Sequence, residues 1–333
     1  MSAIKKRRPI IFRTECGKDV GLGHLKRCQA LAQAVKSIAQ VEIIFVVNKE
    51  AVGQIEGFST VISNNFDKKD VALIKTFDPS LIVYDSYTGT DQYLHELSMI
   101  ASVAAFDDNR ELPKRVPLEI LVNGNLHATD LDYNCWKIRK KLLGPEYLVV
   151  GPEFQDIKVE DGSSGILLTT GGSDPQRLMP RFLRSLRGLR KTKTLILGPF
   201  YDKDEIIEIE SLADEACELI YSPKSLTRYI QKSELVITAC GSTVYQILLL
   251  KKPLITYSVA NNQMLIENKL KEYGVVSLGW HKEIDWARFQ GRVEELYNTR
   301  KEYVQRIRAL FSLFDGKGSL RVAREIVNSM IHE

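Results

Sequence analysis

The chain has 333 residues, of which 44% are hydrophobic and 26% charged, and its formal net charge is +4. This length fits two domains of roughly 150 residues each, and the composition is that of a globular protein. No apolar run approaches the ~20 residues that cross a bilayer, and no basic stripe alternates with aromatic residues, so a membrane span and nucleic acid as the main ligand are disfavoured. The basic N-terminus lacks the apolar core of a signal peptide, and we expect a cytoplasmic protein.

The cysteines and histidines indicate neither a disulfide framework nor a metal site. The chain has five cysteines, an odd number, without a Cys-x-x-Cys pair, and its five histidines stand far apart in sequence. Reduced and mostly buried thiols are expected, with no metal and no other cofactor.

The N-terminal half alternates short β-branched runs with helical patterns, which predicts parallel β-α-β units. Strands are predicted near 9–14, 42–47, 59–63, 80–85, 102–106 and 119–122.

The first strand leads into a glycine turn, Val20–Arg27, that opens a helix. Glycines at 21 and 23 allow a sharp turn and a close backbone approach, and the helix start offers free N–H groups and partial positive charge to an anion. His24 falls in the first helical turn, where the dipole favours the neutral imidazole, a form that can act as a base. The alternative is a structural turn with a capping histidine.

Polar residues follow several of the predicted strands. They are Asp85-Ser86-Tyr87, Asp107-Asp108-Asn109 and Asn123-Gly124-Asn125. Each set alone is compatible with ordinary turn chemistry. Their recurrence at the carboxyl ends of successive strands favours a ligand site, because ligands of open α/β sheets bind there.

A domain boundary is predicted near 150–164, giving domains 1–150 and 151–333, with the last helix a candidate to cross back to the first domain. The second half repeats the β-α pattern, with strands near 166–170, 194–198, 217–220, 234–238 and 254–257 and a largely helical end from 285. After its first strand, Gly171 and Gly172 permit a close backbone approach. We expect Ser173 or Asp174 to cap a helix that has Pro175 at its first position and runs to about 189.

Two further segments of the second half have the chemistry of a nucleotide-sugar site. Gly241, Ser242 and Thr243 join an apolar strand to an apolar helix, where hydroxyl and N–H groups can bind a diphosphate. Asn262 and Gln263 present amide donors and acceptors suited to a sugar or a nucleobase edge.

The phosphate-binding fingerprints of other nucleotide proteins are absent. There is no Walker A sequence, and Lys26 stands where Gly-x-Gly-x-x-Gly requires its third glycine, so a dinucleotide oxidoreductase is disfavoured. Three glycine-containing helix starts on two halves predict an α/β protein of two Rossmann-like, doubly wound domains facing one cleft.

These residues resemble the UDP-sugar hydrolases of pseudaminic acid synthesis, called PseG, and their relatives in spore-coat polysaccharide synthesis, called SpsG. The resemblance covers almost the whole chain. The residues that carry it are Arg13, Gly21-Leu22-Gly23-His24 with Arg27, Asp85, Tyr87, Asp107-Asp108, Gly144-Pro145 with Tyr147, Pro152-Glu153-Phe154, Gly171-Gly172-Ser173-Asp174-Pro175, Gly241-Ser242-Thr243, Asn262-Gln263, and Asp315-Gly316 with Gly318 and Arg321.

The resemblance implies a fold like that of GT-B glycosyltransferases such as MurG, and removal of UDP from a 2,4-diacetamido-2,4,6-trideoxy sugar by attack of water at the anomeric carbon. It implies His24 as the base, Tyr87 and Asn262 at the sugar end, and Gly172 with Gly241-Ser242-Thr243 on the nucleotide side. The full candidate set has His24 and Tyr87 as catalytic residues, and as substrate-binding residues Gly23, Arg27, Asp85, Gly171, Gly172, Gly241, Ser242, Thr243, Gln246, Asn262 and Gln263.

The chain departs from the family pattern at three positions: Gln246 replaces Glu, Gly151 replaces Arg, and Glu15 replaces Asp. A Glu accepts hydrogen bonds from both ribose hydroxyls, whereas Gln has one acceptor oxygen, so nucleotide binding is expected to be weaker or differently arranged.

The leading hypothesis is a UDP-sugar hydrolase that needs no cofactor, with pathway enzymes as its other expected partners. A GT-B-type glycosyltransferase and a non-catalytic nucleotide-sugar-binding protein remain alternatives, because a fold does not fix a function.

Overall fold

The computed structural model describes residues 8–155, 157 and 164–331. Within them the strands are β1 (Ile10–Thr14), β2 (Ile43–Val47), β3 (Ser59–Ile62), β4 (Leu81–Asp85), β5 (Ser102–Phe106), β6 (Leu118–Asn123), β7 (Ile138–Leu143), β8 (Ile166–Thr169), β9 (Lys193–Leu197), β10 (Cys217–Tyr221), β11 (Leu235–Ala239), β12 (Leu254–Ser258) and β13 (Val276–Trp280). The α-helices are α1 (Gly23–Ile38), α2 (Lys49–Val52), α3 (Lys68–Thr76), α4 (Asp91–Ser98), α5 (Leu178–Ser185), α6 (Lys203–Leu212), α7 (Thr227–Lys232), α8 (Thr243–Leu249), α9 (Met264–Glu272), α10 (Trp286–Asn298), α11 (Arg300–Arg306), α12 (Arg308–Phe311) and α13 (Gly318–Ile331).

The strands form two parallel sheets. The first has the order β3-β2-β1-β4-β5-β6-β7 and the second the order β10-β9-β8-β11-β12-β13. The strand order reverses between β1 and β4 in one sheet and between β8 and β11 in the other. In doubly wound folds ligands bind at such reversals, beyond the carboxyl ends of the strands.

The chain divides into two compact units. Described residues up to Pro152, together with those from Gly316 onward, form the first unit, and residues 153–315 form the second. Residues 158–163 of the predicted linker lie outside the described part of the chain. Each unit is therefore built on one of the two sheets.

The apolar runs form the cores because central parallel strands are covered on both faces. All five residues of β1 and of β2 are buried. In the first sheet β1 lies between β2 and β4, with Ile11 opposite both Ile44 and Ile82. Burial of both faces explains why β2 is a continuous apolar run and β1 begins with one, rather than showing an alternating pattern.

The eleven strands predicted from the sequence are present, but two edge strands were missed. In β7, Arg139, Lys140 and Lys141 are exposed, which hides the strand pattern. In β13 the run contains Gly279, and none of the strand except Leu278 is buried. Both strands lie at the edge of a sheet, where one side has no partner strand. Edge strands are commonly short or carry charged side chains.

The prediction for the helix after β8 was wrong in detail. The helix begins at Leu178, not at Pro175, and ends at Ser185, short of 189. Arg177 before it has a φ of 50°, a left-handed conformation that interrupts the helical path. Asp174 still serves the helix start, since its Oδ2 accepts a hydrogen bond from the N–H of Met179 at 2.7 Å.

The last helix belongs to the first unit and packs along α1. Ser319 donates a hydrogen bond to the carbonyl of Val150 at 2.5 Å and accepts one from its N–H at 2.9 Å. A Cβ at Gly318 would lie 2.2 Å from the carbonyl oxygen of Leu148, so glycine is required for this approach. None of the described helices is both long and apolar enough to span a bilayer.

Candidate active site

The turn between β1 and α1 is a short closed loop that brings His24 to the carboxyl edge of the sheet. Gly21 has a φ of 77°, and it exchanges backbone hydrogen bonds with Gly17 at 2.7 and 3.2 Å. Helix α1 then begins at Gly23, and its N-terminus has no side-chain cap. The alternative that His24 caps this helix therefore finds no support in the structure.

His24 is held by Asp85, the last residue of β4. Its Nδ1 lies 2.6 Å from Oδ1 of Asp85, and the two residues are 6% and 1% exposed. A carboxylate can only accept, so Nδ1 carries the proton of this contact. Among the described residues no group hydrogen-bonds Nε2. Nδ1 is thus fixed as the donor, and Nε2 is left to accept a proton from a ligand or a water.

Arg27, one helical turn after His24, neutralises this carboxylate. Its Nε and Nη2 donate to Asp85 at 2.5 and 2.6 Å, and its Nη1 donates to both oxygens of Asp108 at 2.9 and 2.8 Å. Burial alone would raise the pKa of Asp85, but Arg27, followed by His24, holds that pKa well below its usual range. All three guanidinium nitrogens bond carboxylates, so Arg27 organises the site.

Asp108 is the second centre of the network, although it was absent from the predicted site set. It accepts from Arg27, from the Tyr87 hydroxyl at 2.7 Å and from Nδ2 of Asn125 at 2.7 Å. Its backbone carbonyl lies 2.7 Å from Nε2 of His127. Against the effect of burial, Arg27 lowers the pKa of Asp108. The sequence placed Asp108 among the polar residues that favour a ligand site at this sheet edge, but it did not reveal these contacts.

Tyr87 lies beside the imidazole, with its ring edge-on to His24 at 4.5 Å between centroids. Of its residue surface 46% is exposed, while its hydroxyl points at Asp108. Burial of the hydroxyl end and then the charge of Asp108 raise the pKa of this phenol, which stays protonated at neutral pH. Tyr87 therefore places its ring against the His24 imidazole and keeps a neutral hydroxyl bonded to Asp108.

Glu15 joins the loop after β4 to the end of β1. Its Oε1 accepts hydrogen bonds from the hydroxyls of Ser86 and Thr88, the latter at 2.6 Å. The Ser86 hydroxyl also accepts from the N–H of Thr88 at 2.9 Å. These contacts fix the loop that carries Tyr87, a role the sequence did not reveal.

In the second unit, the turn after β8 is closely packed. Gly171 has a φ of 106°, and a Cβ at Gly198 would lie 2.5 Å and 2.4 Å from the carbonyl oxygens of Gly171 and Gly172. Behind the turn, Asp174 and Glu205 form a buried carboxyl pair. Burial and then the neighbouring Asp174 raise the pKa of Glu205 to about 8. The pair therefore holds a proton at neutral pH.

The turn after β11 is open. A Cβ at Gly241 would meet nothing within 4 Å. Helix α8 begins at Thr243. Ser242 occupies the N-cap position, and its side chain makes no capping hydrogen bond. Gln246, one turn later, is half-buried. The N–H of Gly241 already donates to the carbonyl of Ala239 at 2.8 Å, so the groups suited to an anion at this open turn are the hydroxyls of Ser242 and Thr243 and the N–H at the start of α8.

The amides predicted at the start of α9 differ in their surroundings. Asn262 is exposed, whereas Oε1 of Gln263 accepts a hydrogen bond from the N–H of Val259 at 2.9 Å. Gln263 thus closes its own loop through its oxygen and keeps its amide nitrogen as a donor for a ligand.

The structure brings five predicted residues of the first unit into one place: Gly23, His24, Arg27, Asp85 and Tyr87. In the second unit Gly171 with Gly172 follows β8, and Gly241, Ser242 and Thr243 follow β11, the two strands at the reversal of that sheet. In the described part of the chain no group of three or more His, Cys, Asp or Glu is placed to hold a metal ion.

No protein-family model matches the chain. It is 24% identical over 262 residues to an uncharacterised protein of Methanocaldococcus jannaschii, covering 73% of this chain and 54% of that protein. It is 20% identical over 274 residues to a Helicobacter pylori pseudaminic acid cytidylyltransferase and UDP-2,4-diacetamido-2,4,6-trideoxy-beta-L-altropyranose hydrolase, covering 81% and 48%. The chain thus spans about half the length of these two relatives.

A third relative is matched over most of its length. It is the UDP-2,4-diacetamido-2,4,6-trideoxy-beta-L-altropyranose hydrolase of Campylobacter jejuni, which is 22% identical over 251 residues, covering 73% of this chain and 88% of that protein. Identities of 20–24% make these proteins distant relatives.

Solved structures share the fold. Acinetobacter baumannii MurG superimposes with a TM-score of 0.65 at 10% identity, covering 96% of this chain and 99% of that one. A UDP co-structure of S. aureus MnaA superimposes with a TM-score of 0.67 at 12% identity, covering 98% of both chains. Together with the two parallel sheets, these likenesses show that the protein has two Rossmann-like α/β domains of the GT-B type.

Proposed function

We propose that this chain is a UDP-sugar hydrolase that releases UDP from a diacetamido-trideoxy sugar by water attack at the anomeric carbon. The observation that carries the proposal is the His24–Asp85 pair, in which Nδ1 is engaged and Nε2 is not. Two distant relatives bear the name of such a hydrolase. The GT-B fold by itself is compatible with several activities.

In the proposed reaction, Nε2 of His24 removes a proton from water as the water oxygen bonds to the anomeric carbon. The bond from that carbon to the diphosphate oxygen breaks, and its electron pair leaves with UDP. Asp85 keeps the proton on Nδ1 and stabilises the imidazolium that forms, as the carboxylate does in a Ser-His-Asp triad. General-base catalysis of this kind contributes ~10²–10⁴-fold to a rate.

Arg27 and Asp108 have positioning roles in this proposal. Arg27 binds both carboxylates, so it fixes Asp85 against His24 and Asp108 against Tyr87. The exposed ring of Tyr87 then forms a wall for the sugar beside Nε2. Arg27 stays a predicted substrate-binding residue, and its contacts with two carboxylates add this organising role.

The nucleotide is proposed to bind the second unit, with its diphosphate at the open turn of Gly241, Ser242 and Thr243. Gly171 and Gly172 follow β8, the strand beside β11 at the reversal of the strand order. Asn262 and Gln263 complete the predicted set of substrate-binding residues. Replacing Gln246 by Glu is expected to tighten UDP binding, because a carboxylate accepts from both ribose hydroxyls. Calorimetry showing unchanged or weaker binding would argue that the ribose lies elsewhere.

The decisive experiment incubates the protein with a panel of UDP-sugars in water, with and without an acceptor alcohol. Free sugar and UDP released without acceptor support hydrolysis. Release that depends on the acceptor supports a glycosyltransferase, because the same fold can host either activity. Binding without turnover supports a non-catalytic nucleotide-sugar-binding protein.

A further inference from the structure

A second concave site lies at the opposite end of the second sheet, where β11 and β12 begin. Glu234 precedes β11 and Lys252 precedes β12, while Arg300 and Lys301 come from the first turn of α11. These residues line a cavity of about 320 Å³. β11 has five residues and is about 17 Å long, so the cavity is a strand length away from the turn at Gly241.

Lys252 is the unusual residue of this cavity. It is 8% exposed, and among the described residues no acceptor lies within hydrogen-bond distance of its ammonium group. Burial lowers the pKa of this amine, an effect that the nearby Glu234 only partly opposes. Lys252 lines the cavity, so an ammonium group without an acceptor in the described part of the chain is available there to an anion.

The carboxylate in the cavity is already occupied. One oxygen of Glu234 accepts from Arg300 and the other from the hydroxyl of Tyr297. The ion pair with Arg300 balances the charge of Glu234, so Lys252 and the exposed Lys301 are two positive charges in excess of the one carboxylate that lines the cavity. The cavity therefore has the charge of a site for a dianion.

We propose that this cavity binds a phosphate group, either free or carried by a small metabolite. Its two ammonium groups match the two charges of a phosphate, and ammonium groups bind phosphates as point charges. Its volume lies at the lower end of ligand pockets, which restricts an organic part to a few atoms. Pro253 and Val304 provide apolar walls for that part. The site shares no residue with the proposed nucleotide turns.

The test is calorimetric titration with inorganic phosphate and, separately, glycerol 3-phosphate, at constant ionic strength. Lys252→Met keeps an unbranched side chain that is one atom shorter and removes its charge, and Lys251→Met is the matched control on the exposed neighbour. We expect Lys252→Met to weaken binding at least tenfold and Lys251→Met to leave it unchanged. Tighter binding of glycerol 3-phosphate identifies a metabolite site, and equal or weaker binding identifies a free-phosphate site.

Two results of the titrations with the unmodified protein and the variants at 251 and 252 would overturn the proposal. One is that neither probe binds the unmodified protein at concentrations up to about 10 mM, because a typical small-molecule site binds its ligand more tightly than that. The other is equal affinity in both variants, which would place the phosphate at another site, such as the glycine turns. Lys301→Met, an exposed change, gives a second readout if Lys252→Met fails to fold. It should weaken binding several-fold, and unchanged affinity would also contradict the site.

Discussion

Replacing His24 by Asn removes the proposed base while keeping the contact that holds it. An Asn side chain carries its amide nitrogen where an imidazole carries Nδ1, so it can still donate to Asp85 across the 2.6 Å contact. The part of the ring that includes Nε2 is deleted. The variant therefore separates the chemistry of His24 from its structural role.

The expected cost in stability is small. The change loses the edge contact with Tyr87, which is worth about 0.5–1.5 kcal/mol for an aromatic pair. It keeps the hydrogen bond to Asp85, so the free energy of unfolding should fall by about 1–2 kcal/mol in total. Turnover, by contrast, should fall by ~10²–10⁴-fold, the usual contribution of a general base.

The assay measures release of free sugar and UDP, UDP affinity by calorimetry, and the melting temperature of each variant. His95→Asn is the matched control, because His95 is exposed on α4 in the same unit. We expect the control to behave as the unmodified protein, and His24→Asn to bind UDP normally but turn over slowly. Near-normal turnover of His24→Asn would refute the assignment of the base.

Four further results are expected. Asp85→Asn should lower the free energy of unfolding near pH 7. It should also flatten the loss of stability below about pH 4, because the pKa of Asp85 is lowered in the folded state and the unfolded chain therefore takes up more protons as pH falls. An unchanged acid profile would contradict this. Gly241→Ala should leave the melting temperature nearly unchanged, because nothing lies within 4 Å of the new Cβ, yet weaken UDP binding if the diphosphate approaches there. The pKa of Glu205 is raised to about 8 from 4.5, so the folded chain retains a proton that the unfolded chain releases, and stability should decline as pH rises from about 5 to 8. Urea titrations should show a smaller decline in Glu205→Gln than in the exposed control Asp204→Asn. Turnover should persist in EDTA, and its loss with recovery on adding magnesium or manganese would show that the predicted metal independence is wrong.

The interior of each sheet was predictable because buried strands in β-α-β units have local signatures. β2 is an apolar run of five residues, β1 and β4 each begin with three apolar residues, and helical patterns separate the strands; these properties can be read within a short window of sequence. The glycine turn before His24 has the same local character. The edge strands β7 and β13 escaped prediction because an exposed strand needs no apolar run, and its identity depends on the neighbour with which it pairs.

The sequence by itself determined the two α/β halves, the position of His24 at a helix start and the chemistry of the turn after β11. It could not determine which side chains meet. His24 and Asp85 are 61 residues apart, and Arg27 and Asp108 are 81 apart. Their contact depends on β1 lying beside β4 and β4 beside β5, an order fixed by the packing of the whole sheet. The secondary-structure propensity of a segment is set by neighbouring residues. A hydrogen bond between the side chains of two distant segments requires them to meet at a defined distance and angle, and only the tertiary structure supplies that geometry.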